Sequence, residues 1–267
     1  FLATSAGVGA VSFLSFGMRL FQFPVGILGV SISGANLVYF SDLWKKGEQD
    51  EAKKVLKLSY QLSLFVMIPA AIFLYFCSRE IVSIIFERGS FDFLAAENTT
   101  LALKCYLIGL PSYGLYKVFA PTFYAIDKEK FPIGISIVCI IVNIIFCVTL
   151  TPIYGFKILA LGTSISMILN SSIQGAFISR LISLPLDFFI NRKILNIILA
   201  NIIAGGVCYY SRAYLQLDFG NLLLDRIINL LINWFILVLS YFLFLTLLGD
   251  GEFIFTFLKK MKKRLLK

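Results

Sequence analysis

Long apolar runs separated by short charged stretches dominate this chain. The first extends from Val8 to Phe40 and gives way to a charged loop, Ser41 to Lys54. The others are Val55–Phe76, Thr99–Ile126, Ile133–Leu150, Ile158–Ile182, Ile194–Tyr214 and Ile227–Leu248. A helix crossing a bilayer core needs about 20 apolar residues, so the pattern predicts about seven spans. Proline removes a backbone donor and kinks or breaks a helix. Pro24, Pro69, Pro111 and Pro121 fall inside these runs, so broken helices are expected, the first of them near Pro24. Between the second and third runs, Ser78–Asp92 holds too short an apolar part to span. Ile81, Ile84, Ile85 and Arg88 have helical spacing there, which predicts a short interfacial helix ending at Gly89. Asn98-Thr99-Thr100 matches a glycosylation acceptor, a pattern of low specificity, and is read as a helix N-cap. The fifth run carries Thr163, Ser164, Ser166, Asn170, Ser171, Ser172 and Gln174, which suits close helix packing. Asn143 in the fourth run is expected to meet Thr163 through an interhelical hydrogen bond; a share in a sodium site is the alternative.

Composition settles the class. The chain is 59% hydrophobic and 15% charged, with a mean hydropathy of +0.88. The expected fold is therefore all-α, a polytopic transmembrane helix bundle. The chain opens on Phe1, with no signal peptide visible ahead of the first run, and reads as the C-terminal part of a longer protein. The five cysteines form no CxxC pair and read as small buried hydrophobes. With no histidine, His-based acid–base catalysis and His-ligated zinc are excluded within this stretch. No metal site, cofactor or catalytic residue is expected, and the chain is not read as an enzyme.

The net charge of +9 changes the picture through its placement. Lys45, Lys46, Lys53, Lys54, Lys57, Lys128, Lys130, Arg180, Arg192, Lys193 and the basic tail at 259–267 fall on one side of the predicted membrane. The opposite side carries fewer: Arg79, Arg88, Lys104, Lys157, Arg212 and Arg226. Cationic loops stay on the cytoplasmic side, so the C-terminal tail is expected there. A nucleic-acid patch would not be split among alternate loops, and no nucleic-acid partner is expected.

Two cations remain inside the spans, Arg19 and Lys117. A charge in a span costs roughly 2.5–3.5 kcal/mol on insertion scales, and Arg cannot shed its proton. Arg19 must snorkel, pair or face water. Pro24, Gly26 and Gly29 follow it, and irregular backbone at membrane depth is tolerated only in protein or beside a wet cavity. A polar cavity between helices is the reading, with a snorkelling Arg as the alternative; Lys117 carries the same two readings. No carboxylate lies mid-span, whereas a cation antiporter usually keeps one. Cations lining a cavity favour an anionic substrate such as a lipid-linked phosphate or pyrophosphate.

Three stretches resemble the MurJ (MviN) lipid II flippase family. They are Arg19-Leu20-Phe21-Gln22-Phe23-Pro24-Val25-Gly26-Ile27-Leu28-Gly29-Val30, then Phe86-Glu87-Arg88-Gly89-Ser90-Phe91-Asp92, then Gly109-Leu110-Pro111 followed by Lys117-Val118-Phe119-Ala120-Pro121-Thr122-Phe123-Tyr124-Ala125. The likeness covers Gly17 to Pro132 by motif and the rest by span pattern. It implies one lobe of a two-lobed flippase in the multidrug/oligosaccharidyl-lipid/polysaccharide exporter superfamily, with residues 1–267 as the C-terminal lobe. It further implies flipping of undecaprenyl-pyrophosphate-linked peptidoglycan precursor across the bacterial cytoplasmic membrane. Its implied partners are lipid II, membrane lipids and an N-terminal lobe of the same protein. Arg19 matches the family's essential cavity arginine; Arg19, Gln22 and Lys117 form the candidate substrate-binding set. The last two spans would provide a lateral groove for the lipid tail. Two departures, Phe40 ahead of Ser41 where a Pro is usual and Phe131 ahead of Pro132 where a Thr is usual, concern loops.

Readings from other classes stay open at this level. They are a related exporter of another lipid-linked oligosaccharide, a drug exporter by cation antiport, an enzyme acting on isoprenoid phosphates, and a scaffold.

Overall fold

The apolar runs fold as helices. The structure is a computed structural model that describes residues 2–5, 7–218, 220 and 222–251. After a single turn, α1 (Leu2–Ser5), come α2 (Ala10–Pro24), a π-helical turn (Val25–Gly29) and α3 (Val30–Lys45). These are followed by α4 (Gln49–Phe76), α5 (Ser78–Phe86), α6 (Phe93–Leu107), α7 (Leu110–Ala125), α8 (Lys130–Tyr154) and α9 (Lys157–Leu181). Last are α10 (Arg192–Tyr214) and α11 (Leu222–Leu247). Among the described residues there is no strand. Among the described residues, five segments are long and apolar enough to cross a membrane: Ala10–Lys45, Gln49–Phe76, Lys130–Tyr154, Leu186–Tyr214 and Leu222–Leu247. The basic tail at 259–267 lies outside the described residues. The chain divides into two compact units after Phe188.

In the first unit, the helix does not break at Pro24. Pro24 cannot donate to the turn before it, and the ladder widens instead: Val30 N–H reaches back five residues to the Val25 carbonyl. One extra residue is absorbed and the helix runs on to Lys45. Single π-turns of this kind are common at functional sites. Gly29 allows close passage, since a Cβ there would lie 3.2 Å from Met67 Cε of α4. One face of α2 (Ala10, Leu14, Gly17, Phe21, Pro24) is buried. Gly17 sets the crossing of α2 on α6, where a Cβ would approach the Leu103 nitrogen to 3.2 Å. Leu14, Phe21 and Val25 join Met67, Leu103 and Leu107 in the core.

The third predicted span folds as two helices. Pro111 sits in the first turn of α7 and cannot donate to Leu107, so α6 ends there. The hydroxyl of Ser164 on α9 lies 2.7 Å from the Cys105 carbonyl and 2.9 Å from that of Tyr106, sharing its proton between them. The Tyr106 carbonyl also accepts from the Gly109 N–H; a carbonyl without a helical donor at membrane depth needs a side-chain partner of this kind. At 15 and 16 residues, each half is short for a span; α9 has the length but carries the polar face.

That face packs inward. Ser166 donates to the Cys139 carbonyl, Asn170 to Ser136, and Gln174 to Asn170. The expected Asn143–Thr163 bond does not form. Thr163 donates to Leu159 within its own helix, while Asn143 accepts from Cys147 at 3.3 Å and lies against Gly162. The glycine, rather than its polar neighbour, occupies the closest point of α8 and α9. Asn36 of α3, fully buried, donates to the Val118 carbonyl and to Thr122 of α7.

The interfacial segment forms α5, and Gly89 turns the chain at φ 60°. Asn98 does not cap α6. Asp92 does, accepting from Ala95 N–H at 2.8 Å, and Asn98-Thr99-Thr100 lies inside the helix. Arg79 bonds Glu87 at 2.8 Å, pairs with Glu97, and sits over the Phe93 ring. Burial by itself lowers the pKa of the guanidinium, but the hydrogen bonds and charges of Glu87 and Glu97 outweigh that and raise it.

In the second unit, α10 and α11 form a helical hairpin. Polar residues tie the two helices along the seam and at its ends. Ser211 lies 2.6 Å from Asn233, Asn229 bonds the Leu217 backbone through both N–H and C=O, and Asn196 bonds Leu248 and Asp250. With these turned inward, Ile198, Ile202, Leu231, Phe235 and Leu239 are left on the outside.

Candidate substrate-binding site

Opposite the buried face of α2 lies an exposed polar stripe. Ser12, Ser15, Arg19, Gln22 and Gly26 recur at steps of three and four and are all exposed, as one face of an α-helix requires. Ser15 returns its hydroxyl to the Val11 carbonyl. Arg19 has no acidic partner among the described residues, and neither has the side-chain amide of Gln22 any protein partner. The acids instead take cations in loops and at helix ends, as in Lys46–Asp42, Lys54–Glu51 and Lys57–Asp187. A permanently charged fork with no acidic partner among the described residues, beside an exposed amide, has the donors that an anion would take.

The guanidinium lies 5.3 Å from the Phe16 ring centroid, within cation–π range. Phe16 packs on Phe86 at 4.8 Å and edge-on with Phe91 at 5.2 Å. The loop after α5 therefore reaches the α2 stripe through three aromatic rings.

Lys117 occupies a different place. It is half-buried on α7, with its ammonium 5.7 Å from the Tyr113 ring centroid. Tyr113 in turn meets Phe21 edge-on at 5.5 Å, on the core face of α2. Arg19 and Gln22 thus share a face, whereas Lys117 approaches α2 from the other side. Sequence reasoning passed over Ser12, Ser15 and Phe16, although the three-and-four spacing around Arg19 is visible in the chain. Among the described residues, no group of His, Cys, Asp or Glu could hold a metal ion. All five cysteines are free, and all but Cys105 are buried.

The sequence profile of the family described as lipid II flippase MurJ matches residues 1–228. The chain belongs to the MurJ lipid II flippase family. It is 29% identical over 251 residues to a probable lipid II flippase MurJ of Rhizobium tropici, covering 91% of this chain and 46% of that protein. It is 30% identical over 170 residues to the lipid II flippase MurJ of Burkholderia cenocepacia, covering 64% of this chain and 33% of that one. A solved structure, lipid II flippase MurJ in an inward closed conformation, superposes with a TM-score of 0.73 at 27% identity, over 88% of this chain and 46% of that one. The chain spans about half the length of the curated relatives it matches. Family and helices together make it a multi-pass membrane protein of a transporter family.

Proposed function

We propose that this chain is the C-terminal lobe of a flippase that carries lipid II across the bacterial cytoplasmic membrane, working with an N-terminal lobe of the same protein. The observation that carries the reading is Arg19, unpaired on an exposed polar stripe of a membrane helix. A cavity facing this stripe would present a fixed cation to the diphosphate, and Arg offers it two parallel N–H donors. Gln22, one turn on, adds an amide that can donate to phosphate or accept from a sugar hydroxyl. Lys117, on the far side of α2, contributes field rather than direct contact. The lobe binds and releases without making or breaking covalent bonds, so no catalytic residue is assigned. Alternating access by rocking of two lobes suits a site at membrane depth.

The hairpin of α10 and α11 is assigned to the lipid tail. Its polar groups are turned to the seam and its outer faces are apolar, with open space over Gly206. Membrane lipids would contact the same faces, and the tail would be cytoplasmic by its charge. The test is flipping of lipid II by the full-length protein in vesicles. Arg19→Ala is expected to abolish it at unchanged insertion; full activity would remove Arg19 from the site and with it the anionic-substrate argument.

A further inference from the structure

Phe86, at the end of α5, and the loop that follows it to Asp92 lie against α2 through Phe16. The loop's anchoring is complete on both flanks. Arg79 holds Glu87 at one end and Glu97 just beyond the other. Asp92 caps α6, and Gly89 turns the chain in the left-handed region. The backbone closes on itself, with Arg88 N–H to the Phe86 carbonyl and Phe91 N–H to the Arg88 carbonyl. Phe86 and Phe91 are therefore held 5.9 Å apart, centroid to centroid, and both pack on Phe16. Phe16 lies one turn before Arg19 on the same side of α2, with the guanidinium over its ring.

We propose that Phe16, gripped by Phe86 and Phe91, is a positioning residue that aims the Arg19 guanidinium at an anionic diphosphate headgroup. The inference rests on the reading of Arg19 as the diphosphate ligand. An exposed arginine on a helix samples many rotamers, and ordering it on binding opposes affinity. A ring fixed by two others favours the rotamers in which the fork lies over its face and cuts that loss. The loop does not touch the substrate; it acts through Phe16. Its phenylalanines are needed as rings of fixed position, and its charged residues as the frame that holds them.

The test compares lipid II binding by full-length variants, with membrane abundance and thermal unfolding measured alongside. Phe16→Leu keeps apolar volume and removes the π face. It should raise the half-saturating lipid II concentration roughly two- to fivefold, with a modest fall in the unfolding midpoint from the two ring contacts it loses. Phe16→Tyr and Phe16→Trp should bind like the parent. On an Arg19→Gln background, Phe16→Leu should add nothing. Phe91→Leu should act in the same direction and serves if Phe16→Leu fails to accumulate. Unchanged binding by Phe16→Leu or Phe91→Leu, with Arg19→Gln impaired, would overturn the positioning role and leave the Arg19 reading intact. An equal loss on the Arg19→Gln background would overturn it as well. Normal binding by Arg19→Gln alone would remove both.

Discussion

Gly109 and Ser164 meet so closely that no other residue fits at 109: an added Cβ would lie 2.7 Å from the Ser164 Cα. The contact holds the break between α6 and α7 against α9, and the Ser164 hydroxyl serves two carbonyls in the last turn of α6, of which that of Tyr106 also accepts from the Gly109 N–H. Gly109→Ala should therefore destabilise by about 1–3 kcal/mol through overpacking. Ser164→Ala should cost about 0.5–2 kcal/mol, the scale of hydrogen bonds between membrane helices. Thermal unfolding in detergent checks both. A Gly109→Ala protein as stable as the parent would mean that the two helices separate without cost.

Arg19→Lys separates two kinds of cation. Lysine keeps the charge and loses the planar fork, so a bidentate diphosphate contact is weakened rather than kept. Complementation of flippase-depleted cells by full-length Arg19→Lys should be impaired, at normal abundance by blot. Free exchange would favour a snorkelling side chain. Lys117→Ala should be milder than Arg19→Ala, because Lys117 lies over Tyr113 and off the stripe.

The seam of α10 and α11 gives a double-mutant cycle. Ser211→Ala leaves the buried Asn233 amide oxygen without its donor and should cost about 1 kcal/mol or somewhat more; Asn233→Leu leaves Ser211 its bond to the Cys208 carbonyl and strands no hydroxyl. The pair together should cost less than the sum, because the amide oxygen that Ser211→Ala orphans is then gone. Additive losses would show that the two side chains do not act as a unit.

Topology is open to labelling. A cysteine introduced at Ser90 should react with an impermeant reagent added from outside, and one introduced at Gly251 should not. The unequal division of Lys and Arg between alternate loops motivates the expectation. The opposite pattern would invert the orientation.

The sequence by itself determined that this is a helical membrane protein and that Arg19 is a charge in need of an explanation. Hydrophobic length and charge placement are local properties of the chain, and they hold whatever the helices pack against. The three motifs were likewise legible as strings. What each motif does was decided in three dimensions. Pro24 reads as a break, yet a π-turn follows it and keeps Ala10–Lys45 continuous, with Gly29 passing close to Met67 of another helix. Pro111 does divide its span, and the last turn before the division is met by a hydroxyl 53 positions later on another helix. Asn143 and Thr163 look like partners by composition, but Gly162 takes the contact point and turns the threonine back on its own helix. The same holds for α10 and α11, whose polar residues are plain in the sequence although the seam that hides them is not. Which side of a helix faces protein is a pairwise property of two helices. It depends on where small side chains allow close approach, and a single chain pattern does not contain that.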